Sequence, residues 1–209
     1  MTVNEMQYNF TILAGTIDRV IVPTDDIIAH LNLAQDEFLT NELKVTEGNE
    51  MNTSNIYSLM KELSIPSVVN NKVPLSSFLD GVYHDYRYLL GVKVVTASGC
   101  PPIFGLKEIR NDQLPFILYD SWWKPKRALR VLYLKNNKNI EFYTEAGDGV
   151  VSATFSYVKR PRRLVIDTTK IPFVNEIYTE VCELPLHTHT SVVELAVELY
   201  LKKFGAQKS

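Results

Sequence analysis

Cysteine is nearly absent. Cys100 and Cys182 are the only two in 209 residues, they lie in different halves, and they form no CxxC spacing. Two free thiols are expected, and nothing in the spacing supports a disulfide. Net charge is also close to nil, at −2, so no overall field draws the chain to nucleic acid or an anionic membrane. Any polyanion contact has to be local. No run approaches the roughly 18 apolar residues of a membrane span, and no basic-then-apolar stretch suggests a signal peptide. A reducing aqueous compartment is the expected setting, with no membrane contact. Reaction motifs are missing too: GxSxG, HExxH, a Walker loop and a Ser/His/Asp order do not occur. Internal repeats and low-complexity segments are likewise absent. A non-enzymatic protein without cofactor or metal is expected.

What is present suffices for a core. Hydrophobic residues make up 45% and charged residues 22%, ordinary values for a globular chain. Residues 5–13 alternate Met6, Tyr8, Phe10 and Ile12 with polar neighbours, which predicts a strand or an extended arm, with a second short run from Ile17 to Val22. Residues 1–22 therefore form an edge strand or an arm for a neighbouring subunit. Pro23-Thr24-Asp25-Asp26 is a helix start, and Ile27, Leu31, Ala34 and Phe38 recur at helical spacing over 25–44. Ile56, Leu59, Met60 and Leu63 predict a second helix over 54–63, completing a helical pair within 24–64. Residues 85–166 read as a sheet with an irregular insertion: a strand at 86–97 with Gly91 suggesting a bulge, then a meander over 127–158. Its last strand, Val150 to Val158, sets Val151, Ala153, Phe155 and Tyr157 on one face. Leu164 to Ile166 could extend it. A final helix over 190–204 carries Val193, Ala196, Val197, Tyr200 and Phe204 on one face and a Glu198/Lys202 pair on the other. Residues 205–209 are expected to fray. The fold class is α+β: a helical pair, a mostly antiparallel sheet and a C-terminal helix, in one domain over 23–204.

Three places merit scrutiny as sites. Lys159, Arg160, Arg162 and Arg163 form a basic cluster, which Lys126 and Arg127 would join, with Lys124 and Arg130, if strands 127–134 and 150–158 are neighbours. Such a patch could be a solvated strand end, a phosphate-contacting surface or a dock for an acidic protein. Residues 103–126 are aperiodic and aromatic, with Phe116, Trp122 and Trp123 forming a candidate inter-subunit surface. His187 and His189 could present two imidazoles to a metal, but no third ligand lies nearby in sequence, and a loop leading into the helix, with polar side chains near its N-cap, is the preferred reading. Gly147-Asp148-Gly149 reads as a hairpin turn.

Three stretches resemble one family. Leu31-Asn32-Leu33-Ala34-Gln35-Asp36-Glu37-Phe38 resembles an "LN-x-AQ-x-x-F" helix. Phe155-Ser156-Tyr157-Val158-Lys159-Arg160-Pro161 resembles a "Y-[IV]-K-[KR]-P" strand end. Glu183-Leu184-Pro185-Leu186-His187-Thr188-His189, continuing through Val193 to Ala196, resembles an "ELP-x-H-x-H" approach to a last helix. Together they are similar, in order and spacing, to the ring or head–tail adaptor proteins of crAss-like and related short-tailed phages. The likeness frames residues 24–204 and lapses over 1–22 and 50–63. It implies a structural virion subunit in a closed homo-oligomeric ring beside the portal protein or an adjacent tail ring protein. The basic cluster would then line a DNA channel with non-specific contact, or meet the next subunit, and the protein would reside in the virion after assembly in the host cytoplasm.

Overall fold

A reciprocal cap opens the fold. The Thr2 N–H donates to Glu5 Oε2 at 2.9 Å and the Glu5 N–H to Thr2 Oγ1 at 3.3 Å, a capping box that starts helix α1, Val3–Asp18. The computed structural model describes residues 1–18, 22–46, 53–80, 83–84, 86–98, 102–104, 106–127, 129–166 and 178–205. The expected strand or arm at 5–13 is therefore a helix. Val3, Met6, Phe10 and Ala14 are its buried stripe, while Tyr8 and Ile12, half of the supposed strand face, point to solvent. The second expected run begins in the same helix, which ends at Asp18, and otherwise lies mostly outside the described residues, as do the loop after α2, most of the turn at Cys100, residues 167–177 and the tail from 206.

The chain divides into two compact units: a helical unit, Met1–Leu59 with Arg160–Ser209, and a β unit, Met60–Lys159. The helical unit holds α1, α2 (Thr24–Thr46) and, near the end of the chain, α4 (His189–Gly205). Both α1 and α2 contact α4. The pair of N-terminal helices is thus α1 with α2. Residues 54–63 do not supply the partner: they form two 3-10 turns, Thr53–Asn55 and Tyr57–Leu59, and then strand β1, Met60–Ile65. Ile56 and Leu59 are buried, whereas Leu63 and Ile65 pack on the core of the β unit. One apolar pattern serves two cores. In α4, Val193, Ala196, Val197 and Tyr200 are buried as expected, and Lys202 pairs with Glu198 at 2.6 Å.

The β unit continues with β2 (Lys72–Pro74), the short pair β3 (Leu79–Asp80) and β4 (Tyr83–His84), and β5 (Tyr86–Thr96). Then come β6 (Ile103–Phe104), β7 (Lys107–Ile109), α3 (Leu114–Tyr119), β8 (Leu132–Lys135), β9 (Asn139–Tyr143) and β10 (Val150–Lys159). Two four-stranded sheets result, ordered β1-β10-β5-β6 and β2-β9-β8-β7. Most pairings are antiparallel, with β7–β8 parallel. Val92, Val94, Ala153, Phe155 and Tyr157 from the first sheet share one core with Val73, Tyr133, Ile140 and Phe142 from the second. The expected three-strand meander is therefore only a hairpin, β8–β9. Strand β10 crosses to the other sheet, where β1 and β5 flank it. Leu164 does not extend a meander either: β11 (Arg163–Leu164) pairs in parallel with β12 (Tyr178–Thr179) in the helical unit.

Bulges adjust the phase of both long strands. The register of β10 against β5 shifts between Val150 and Ser152, which buries Val150 and exposes Val151. A second shift falls beside Gly91, opposite Ser156, close to where the glycine suggests one.

Asn71 ties the two sheets together. Asn70 and Asn71 have φ of 53° and 55°, the left-handed pair of a tight hairpin turn closed by Lys72 N–H to the Val69 carbonyl at 3.0 Å. The Asn71 carbonyl accepts from Phe142 N–H at 2.8 Å, and its Oδ1 accepts from Val150 N–H at 2.8 Å. Asn71→Gly is expected to lose only the side-chain bonds, to Val150 N–H and from Nδ2 to Thr144 Oγ1 at 3.4 Å, about 1–2 kcal/mol together. Asn71→Ala adds left-handed strain of roughly 1 kcal/mol more. Urea midpoints of the two variants test this, and equal losses would remove the backbone part of the account.

Candidate functional site

Helix α2 buries polar side chains within its apolar stripe. Asn32 and Gln35 are 8% and 2% exposed, one turn apart among Ile27, Leu31, Ala34 and Leu39. Asn32 acts as a strand edge would: its Nδ2 donates to the Leu164 carbonyl at 3.1 Å, and its Oδ1 accepts from Leu164 N–H at 2.7 Å. Nδ2 also donates to the Ile28 carbonyl at 3.0 Å. Gln35 Nε2 donates to the Arg162 carbonyl at 3.1 Å, and Gln35 Oε1 accepts from Cys182 Sγ at 3.4 Å.

From the other side, Glu183 Oε2 accepts the Arg162 N–H at 2.8 Å, with the Arg162 Nε 3.6 Å from Oε1. The Glu183 carbonyl in turn accepts from Ser58 Oγ at 2.6 Å. Residues 162–164 are thus clasped between α2 and the segment 182–184. Burial pushes the Cys182 thiol up to about 11, so it stays protonated and donates. The bonds themselves are not legible in the sequence. The available signal was two amides three positions apart on the buried face of a helix.

Of the two histidines, His189 supports the clasp and His187 does not touch it. His189 begins α4 and is buried, and its Nε2 lies 2.8 Å from the Leu184 carbonyl. A carbonyl only accepts, so Nε2 carries the proton and Nδ1 faces the Met1 amino nitrogen at 2.8 Å as acceptor. Burial holds its pKa below the usual imidazole value against the pull of the Leu184 carbonyl, which keeps it neutral. His187 instead lies 2.9 Å from Asn55 Oδ1. Both rings are occupied with protein partners, and among the described residues no group of three His, Cys, Asp or Glu side chains is placed to hold a metal.

The basic cluster does not form as one strand-borne patch. Its premise, that the strands at 127–134 and 150–158 are neighbours, fails because β8 lies between β7 and β9 while β10 lies between β1 and β5. Lys126 and Arg127 belong to the β unit, as does Lys159, whose side chain is buried. Arg160, Arg162 and Arg163 are exposed in the helical unit, with Arg162 beside Glu183.

The aromatic segment is on the surface, as its lack of periodicity suggests. Phe116, Trp122 and Trp123 are 77%, 78% and 51% exposed, and Tyr119 and Leu129 stand out beside them in the sequence. Its one helix among the described residues is α3, Leu114–Tyr119, where Pro115 occupies the first turn. Asp120 Oδ1 then accepts the N–H groups of Trp122 at 2.7 Å and Trp123 at 3.2 Å, fixing the following turn. Arg130 Nη1 donates to the Trp122 carbonyl. Lys107 Nζ lies 4.4 Å and Arg130 Cζ 5.5 Å from the Trp123 ring centroid.

Among the described residues no helix is long and apolar enough to cross a membrane. No protein-family model matches the chain, and no curated protein is significantly similar to it.

Proposed function

We propose that the chain is a structural virion subunit, of the tail-ring or head–tail adaptor kind, which assembles as a closed ring beside a portal or another tail ring and encloses part of a DNA channel. The observation that carries this is the clasp. The three stretches that resemble the adaptor family lie far apart in sequence, yet Asn32 and Gln35 of the first and Glu183 of the third all bind the backbone at 162–164, directly after the second. The first and third stretches thus meet at one segment of the helical unit, as parts of a fold signature would. The clasp's polar groups are spent on one another, which suits an architectural role and assigns no reaction. Exposed Arg160 would offer DNA phosphates non-specific contact.

A nucleic-acid-binding module using Lys159–Arg163 is the rival, and it loses support from the burial of Lys159 and the engagement of Arg162 by Glu183. Mixing the purified chain with the portal and tail proteins encoded beside it, then imaging by electron microscopy, tests the proposal. A ring of fixed copy number on the portal axis is expected. A chain that engages none of those proteins would sink it.

A further inference from the structure

Charge is divided unevenly between the two units. The β unit, Met60–Lys159, carries 13 Lys and Arg against 9 Asp and Glu, a balance of +4. The remainder of the chain carries 9 against 15, a balance of −6, and the net −2 hides this polarity. The β unit also presents the exposed aromatic segment, with Tyr119 92% and Trp122 78% exposed. Exposed Lys107, Lys124 and Arg127 belong to the same stretch of sequence. The segment is preorganised: the Asp120 turn, the hold of Arg130 on the Trp122 carbonyl and the two cations on Trp123 fix it before any partner arrives. Little ordering cost is left for binding.

The helical unit offers a counterpart. On α2, Asp25, Leu33 and Asp36 are all exposed, and at 100° per residue they fall within one arc of about 80°. An apolar side chain flanked by two carboxylates matches an aromatic surface flanked by cations.

We propose that the aromatic, cationic surface around Tyr119 and Trp122 docks on the acidic outer face of α2 in a second copy of this chain. The contact is head to tail, since each copy contributes a different face and keeps its other face free for the next. Repeated contacts of that kind build a ring when the rotation between copies closes, and an open filament when it does not. The assignment rests on the ring proposed above and names its two surfaces. A single-stranded nucleic acid is the less suitable occupant. Lys107 and Arg130 already lie against the Trp123 ring and so withdraw it from base stacking.

The test uses the full chain in sedimentation velocity and native mass spectrometry over a concentration series. Tyr119→Ser/Trp122→Ser is expected to raise the apparent dissociation constant at least tenfold with an unchanged Tm, because both side chains stand in solvent. Lys124→Glu/Arg127→Glu and Asp25→Lys/Asp36→Lys should each weaken assembly, and joining all four reversals in one chain should restore it. The assignment is overturned by assembly indifferent to the aromatic pair, by a swap that restores nothing, or by a monomer at every concentration. An oligonucleotide captured through Trp122 in place of a second copy also overturns it. A ring that still forms on the portal without Tyr119 and Trp122 removes this assignment alone. A chain that never engages portal or tail proteins removes the virion proposal, whatever its self-association.

Discussion

Phe155→Ala is expected to cost the β unit about 3–5 kcal/mol, the range for truncating a fully buried aromatic ring. Phe155 is 0% exposed and sits where the two sheets meet. Its ring is edge-on to Phe78 at 5.1 Å between centroids and 6.2 Å from Phe142, which belongs to the opposing sheet. The cavity cannot easily collapse, because the backbone at Phe155 is held in register on both sides, against Leu63 in β1 and Val92 in β5. Phe155→Leu keeps most of the volume and should cost far less. Urea unfolding followed by hydrogen exchange at the Leu63 and Val92 amides reads the effect within the right unit. A loss below roughly 1 kcal/mol for the alanine variant, within reach of ordinary surface changes, would mean that the two sheets do not share this core.

The parts of this fold legible in the sequence are those where local period and tertiary burial agree. Helices α2 and α4 each carry one apolar stripe at helical spacing and bury it. The β8–β9 hairpin is announced by Asn136 to Asn139, and the structure closes it there with Asn136 Oδ1 accepting the Lys138 and Asn139 N–H groups. Elsewhere one pattern satisfies two periods. Met6 and Phe10 fit a strand with Tyr8 and Ile12, and fit a helix with Val3 and Ala14. Packing of Phe10 edge-on to Tyr200 of α4, at 5.8 Å, selects the helix. The Thr2/Glu5 capping box was the local signal that could have decided it.

At 54–63 the apolar residues do have helical spacing, but the chain passes from one core to the other between Leu59 and Met60, which no local window contains. Neighbours in sequence usually pair, which sets β10 beside β9, and here they do not: β10 lies between β1 and β5. The surface told a similar story. The aperiodic aromatics proved exposed, whereas the basic cluster, contiguous in sequence, is divided by topology between two units.

The clasp gives the other large expected effect. Asn32→Ala removes both bonds to Leu164, which is 1% exposed, so its N–H and C=O lose their partners where water cannot replace them. Each orphaned buried group costs about 1–3 kcal/mol, so a loss of roughly 3 kcal/mol is expected in the helical unit. Asn32→Leu fills the space without supplying the bonds and should do no better, which separates hydrogen bonding from packing. Asn32→Asp is the sharper variant. It keeps an oxygen for the Leu164 N–H but has no donor for the carbonyl while ionised, and it buries a charge. Burial raises the pKa of such a carboxyl in the folded state, so stability lost at neutral pH should return as pH falls and the carboxyl regains an O–H to donate. Wild type has no such recovery at this position. Urea midpoints for the three variants between neutral and mildly acidic pH would show it. If Asn32→Asp tracked Asn32→Ala at every pH, the donor to Leu164 would not matter, and Asn32 would not be what fastens the chain to α2 as it leaves the β unit.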